Sequence, residues 1–178
     1  GGSKGILVAR EMKTGFVELQ NGLTTHYYEW PGTGPILLLL HPTCGYGQVW
    51  EWLVECLGDR FHVFAPDQRG HGLTGRPDGS YAAEEYAEDA ALFVEAMGID
   101  KAILFGHSLG SRVAQVFAAR YPQHAHAVMI TAPHLSNFFG TREAAAEVLA
   151  HAAGVLASHP EVFTTREEAF TYMRTHTP

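Results

Sequence analysis

The chain has only two cysteines, Cys44 and Cys56, in 178 residues. Two cannot build a dense disulfide framework, and their spacing does not suit a structural metal site. A reducing, cytoplasmic setting is therefore expected, with packing as their role. Positive charge is also scarce: 12 Lys and Arg stand against 19 Asp and Glu, a net charge of −7 without any basic cluster. Neither a nucleic-acid backbone nor a membrane surface is an expected partner. Long apolar runs are missing too, since the longest, residues 35–40, is sized for a strand rather than a membrane span. No secretory leader is expected, and Gly1-Gly2-Ser3 reads as a linker scar. The 11 histidines are many, but His124 and His126 lack thiolate or carboxylate companions, so neither a metal nor a cofactor is expected.

What is present is a globular composition, 46% hydrophobic and 17% charged, enough for one domain with a real core. Residues 14–19 and 24–30 are rich in β-branched and aromatic side chains, and Asn21-Gly22 between them signals a hairpin turn. Residues 36–40, ILLLL, form a strand with no polar alternation, which requires burial on both faces. Further strands are expected at 61–65, 102–105 and 126–131. Helices are expected at 47–57, at 82–97 and from the turn after residue 105 to Tyr121, where Pro122 stops the last of them. On the helix at 82–97, Tyr86, Ala90, Phe93, Val94 and Met97 share the apolar face. Glu84, Glu85, Glu88 and Asp89 read as the solvated one. This alternation predicts an α/β fold, a mostly parallel sheet with helices on both faces and ligands bound beyond the C-terminal strand ends.

The informative stretch is Gly106-His107-Ser108-Leu109-Gly110, a G-x-S-x-G pattern between a short apolar strand and an amphipathic helix. A serine in so tight a turn sits in strained backbone, and the flanking glycines leave room for adjoining chain. Its hydroxyl is lifted out of the sheet to a helix N-terminus, where free N–H groups and the dipole favour an oxyanion.

This stretch resembles the nucleophile elbow of the α/β-hydrolase fold family, with Ser108 as the catalytic nucleophile. Two upstream segments extend the resemblance. His41-Pro42-Thr43-Cys44-Gly45 follows the third strand, where the family places half of its oxyanion hole. By that resemblance the backbone N–H groups of Thr43 and Leu109 form the hole, and His41 positions the loop rather than acting as base. Pro42 replaces the family's usual glycine and stiffens the loop. Asp67-Gln68-Arg69-Gly70-His71-Gly72 matches the family's D-x-R-G-x-G turn, with Thr74 where serine is usual. Asp67 and Arg69 are expected to fix that turn rather than to catalyse.

The expected organisation is a leader over residues 1–13, the N-terminal part of an α/β-hydrolase core over 14–134, and a partial helical lid over 135–178. Lid helices are expected at 142–157 and 165–174, the second opened by a Thr164/Glu167 capping box. The family's triad acid and histidine follow strands that this sequence does not contain, and neither His107 nor His134 is assigned as base. A second polypeptide is therefore expected to supply those strands, as in a nicked or split enzyme. The resemblance implies a serine hydrolase acting on small-molecule carboxylic esters or lactones through an acyl-enzyme on Ser108. C–C bond hydrolysis, or a small-molecule receptor on the same scaffold, are the alternatives. An aspartate nucleophile is excluded because residue 108 is serine.

Overall fold

The computed structural model describes residues 10–132 together with Thr164, Thr165, Glu167, Glu168 and Thr171. The strands are β1 (Lys13–Glu18), β2 (Thr24–Trp30), β3 (Ile36–Leu40), β4 (His62–Pro66), β5 (Ala102–His107) and β6 (Ala125–Thr131). The helices among these residues are α1 (Glu51–Leu57), α2 (Ala83–Ala96) and α3 (Leu109–Arg120). The segment before α1, Gly47–Trp50, is a 3₁₀ turn rather than the first turn of that helix.

The six strands form one sheet in the order β1-β2-β4-β3-β5-β6. β1 and β2 pair antiparallel, as do β2 and β4; the β4-β3-β5-β6 portion is parallel. The hairpin forms at the expected Asn21-Gly22: Gly22 takes a φ of 82°, and Asn21 Oδ1 accepts the Leu23 N–H.

β3 shows why its sequence has no polar alternation. Leu38 and Leu40 join Phe64, Leu104, Tyr86, Phe93, Val113 and Phe117 in a core beneath α2 and α3. Leu37 and Leu39 join Val63, Trp50 and Val54 beneath the 3₁₀ turn and α1. Successive side chains leave opposite faces of a strand, so helices on both faces demand an apolar residue at every position.

Two expectations need correction. Asp89 is not solvated surface: it is buried and takes a bidentate pair from Arg69, Nε to Oδ2 at 2.6 Å and Nη2 to Oδ1 at 2.7 Å. Asn21 Nδ2 donates to the same carboxylate. Asp89 lies three residues from Tyr86 on the helix, close enough to the apolar face to be covered, and the buried guanidinium of the turn needs its charge. The cysteines are not packing residues either, since Cys44 and Cys56 are both exposed free thiols.

The chain divides into two units, Gly1–His134 and Leu135–Pro178. The expected helix at 142–157 and His134 lie outside the described residues, as does most of 165–174. At Thr164 the cap is one residue later than expected: Thr165 Oγ1 accepts the Glu168 N–H, and Glu168 Oε2 accepts from Thr164. Among the described residues, no helix is long and apolar enough to cross a membrane.

Replacing Arg69 by alanine leaves the Asp89 charge buried without its partner. The expected cost is about 3–5 kcal/mol in urea unfolding, and a loss under 1 kcal/mol would show that solvent reaches the carboxylate.

Candidate active site

β3 and β5 are neighbours in parallel register, with Leu40 opposite Gly106. Continuing three residues from each brings Thr43 and Leu109 to the same edge of the sheet, where the two strands end. Ser108 lies between β5 and α3, with φ 52° and ψ −110°, a conformation that costs a non-glycine residue about 1–3 kcal/mol. The surroundings hold it there. Ser108 N–H donates to the Thr131 carbonyl at 3.1 Å, and the Ser108 carbonyl accepts the Ser111 and Arg112 N–H groups.

The two glycines of the elbow are required by contact. A Cβ on Gly106 would collide with the Gly110 carbonyl, and one on Gly110 with the Leu40 carbonyl. β6 supplies the remaining support. Buried Ser111 donates its hydroxyl towards the carbonyls of Gly106 (2.8 Å) and Thr131 (2.6 Å) and accepts the Thr131 N–H. His107 Nδ1 bonds Thr131 Oγ1 at 2.8 Å, so this ring is engaged with β6. The Ser108 hydroxyl has no hydrogen-bond partner among the described residues.

The loop after β3 is fixed by a buried histidine. His41 Nε2 accepts the Gln68 N–H at 2.9 Å, which leaves Nδ1 protonated to donate to the Pro42 carbonyl, also at 2.9 Å. Gln68 Nε2 returns a bond to the His41 carbonyl. Gly45 N–H also donates to the Pro42 carbonyl. The C=O and N–H of a trans peptide point in opposite directions, so two donors on the Pro42 oxygen aim the Thr43 N–H the other way. That N–H, like the N–H of Leu109, has no partner among the described residues.

Behind the loop stands the Asp67 turn. The Asp67 carboxylate accepts from Gly47 N–H at 2.6 Å and Leu73 N–H at 3.0 Å, and it bonds His26 Nδ1 at 2.9 Å. Gly72 packs so close to this carboxylate that no side chain fits. Thr74 does the work of the usual serine, donating to the Asp67 carbonyl and accepting the His26 N–H. Asp67 and Arg69 are thus consumed by structure, as their place in the motif implied. Sequence reasoning did not single out Ser111, Thr131 or His71. A hydroxyl three residues after the elbow serine was the available signal for Ser111. Thr131 and His71 act through contacts distant in sequence and carried none. Among the described residues, no group of three or more His, Cys, Asp or Glu could hold a metal ion.

Burial pushes the His41 imidazolium down to about 4. The Pro42 carbonyl and Asp67 oppose that shift, and His71 adds to it. An unfolded chain takes up this proton near 6.5, whereas the folded one resists it until about 4. Between those values the unfolded state binds more protons, so acid destabilises the fold. Denaturant unfolding from pH 7 down to pH 4 is expected to lose about 3 kcal/mol from this group. An NMR titration that found His41 protonating near pH 6.5 would contradict this.

The chain is similar to known proteins in sequence and fold. The chain is 42% identical over 98 residues to a 2-(acetamidomethylene)succinate hydrolase of Mesorhizobium japonicum, covering 55% of this chain and 35% of that protein. It is 32% identical over 118 residues to an N-formylmaleamate deformylase of Pseudomonas putida, covering 66% and 44%. A solved structure of an N-acyl homoserine lactonase complexed with N-hexanoyl homoserine superposes with a TM-score of 0.64 at 31% identity, covering 69% of this chain and 46% of that one. The chain thus spans less than half the length of each of these relatives. A family model described as the alpha/beta hydrolase fold matches residues 35–166. With its strand order and strained serine turn, the chain belongs to the α/β-hydrolase fold family, and its named relatives include hydrolases.

Proposed function

We propose that this chain carries the nucleophile of a serine hydrolase that cleaves small carboxylic esters or lactones through an acyl-enzyme on Ser108. The observation that carries this reading is the strained Ser108 itself, its hydroxyl unpartnered among the described residues, at the N-terminus of α3 beside two unpartnered N–H groups. Ser108 Oγ attacks the carbonyl carbon as a base takes its proton. The tetrahedral oxyanion is held by Thr43 and Leu109 N–H. The C–O bond to the leaving group then breaks, the alkoxide receives the proton, and water repeats the sequence on the acyl-enzyme. Each preorganised donor contributes about 3 kcal/mol in the transition state.

Hydrolase, deformylase and lactonase relatives all support attack on a carbonyl. A lactone or ester fits a serine nucleophile with two oxyanion donors, and the lactonase structure lends that choice its support.

Among the described residues no imidazole bonds the Ser108 hydroxyl, and His41 and His71 have both ring nitrogens engaged elsewhere. We place the base and its acid on strands that add to β6. Val128, Met129 and Ile130 on this strand are 38%, 49% and 40% exposed. Consecutive residues face opposite sides of a sheet, so apolar surface is open on both faces at this edge, as a further strand and its covering helices would need.

In the enzyme preparation, a fluorophosphonate is expected to add its mass to this chain, and Ser108→Ala to abolish the adduct. The same substitution should lower hydrolysis of short-chain p-nitrophenyl esters and lactones by roughly 10⁴- to 10⁶-fold. Labelling that persists in Ser108→Ala would move the nucleophile elsewhere.

A further inference from the structure

We propose that His71 is a positioning residue for the Thr43 donor, holding the oxyanion loop by a hydrogen bond from Nε2–H to the Thr43 carbonyl. The inference rests on the proposed reading of Ser108 and Thr43 and extends it to a side chain in the turn after β4.

The loop places two successive peptide units at the sheet edge. The first, between Pro42 and Thr43, contains the Thr43 N–H and is held from its carbonyl end by His41 and Gly45. That alone leaves the chain free to swivel about the Thr43 Cα. The second unit, between Thr43 and Cys44, is exposed, and its carbonyl is bonded by His71 Nε2 at 2.6 Å. Fixing both units fixes the rotation on each side of Thr43, and with it the direction of the N–H.

His71 is itself well anchored. Nδ1 lies 2.9 Å from the Arg69 carbonyl, and the ring packs edge-on to His41 with centroids 5.0 Å apart. Tyr86 of α2 lies on another side at 6.4 Å. The Arg69 side chain is pinned by Asp89, so the turn that presents His71 is tied to α2. Both ring nitrogens face carbonyl oxygens, and a neutral imidazole donates from one nitrogen only. The proposal puts that proton on Nε2, which makes the shorter of the two contacts. His71 touches no reacting atom; it acts through Thr43.

Two amide variants separate the nitrogens. Gln places its amide nitrogen at about the reach of Nε2, whereas Asn places it at about the reach of Nδ1. His71→Gln can keep the bond to Thr43; His71→Asn can reach only the Arg69 carbonyl. The acylation rate of Ser108 and the backbone amide resonance of Thr43 are measured in both variants and in the wild-type enzyme, with Tm as the folding control. His71→Asn is expected to lower kcat about tenfold with KM nearly unchanged, short of the roughly 10²- to 10³-fold loss when a donor is removed outright. It also shifts the Thr43 amide, while His71→Gln stays within about twofold of wild type by the same measure. Equal kcat values and an unmoved Thr43 amide in His71→Asn would overturn the proposal, as would equal losses in both variants at unchanged Tm. If wild-type Ser108 takes no acyl group, the nucleophile reading fails, and the Thr43 amide alone then decides the role of His71.

Discussion

The backbone of Gly110 lies against the carbonyl of Leu40 with no room for a side chain between them. This one contact seats the first turn of α3 on the end of β3 and brings together two segments 66 residues apart, counting from Thr43 to Leu109. Without it, the N-terminus of the helix and the loop after β3 would diverge by at least the thickness of a methyl group. Catalytic geometry tolerates displacements well under 1 Å, so the glycine is as much a part of the proposed oxyanion site as the donors are. The pairing of β5 with β6 adds the complementary support, through Ser111 and Thr131, that keeps Ser108 in its strained conformation.

The second level of organisation is a buried polar network. It runs from the paired Arg69 and Asp89, through the Asp67 turn and Gln68, to His41 and the Pro42 carbonyl. Arg69 and Asp89 pair with each other, Asp67 holds the Gly47 and Leu73 N–H groups, and His41 and Gln68 bond the backbone of the loop after β3. Such an arrangement makes sense for electrostatic catalysis, in which donors must already point correctly when charge develops. Burial of these groups is costly unless each is satisfied, which ties the stability of the core to the geometry of the loop. The neutral state of His41 follows from the same burial and makes the loop sensitive to acid.

The sheet and the elbow were legible because their signals are local. Five consecutive apolar residues in β3 announce burial on both faces, and two glycines flanking Ser108 announce a turn that excludes side chains. The Asp67 turn was readable for the same reason, down to Thr74 replacing serine. Asp89 was misread because helical periodicity assigns charged residues to solvent, and nothing near it in sequence reveals that Arg69 needs a buried partner 20 residues away. The thiols were misread because cysteine is usually a packing residue, whereas Cys44 belongs to an exposed loop and Cys56 to an exposed face. His71 was invisible as a support because its partner, the Thr43 carbonyl, lies 28 residues away and belongs to backbone.

The most direct test is a crystal structure of the enzyme carrying a phosphonate on Ser108, which mimics the tetrahedral intermediate. The proposed mechanism predicts one phosphonate oxygen within about 2.7–3.1 Å of both the Thr43 and Leu109 nitrogens. It also predicts that the Pro42 carbonyl still accepts from His41 and Gly45. An oxygen that points away from both amides, or a loop turned so that the Pro42 carbonyl faces the adduct, would contradict it.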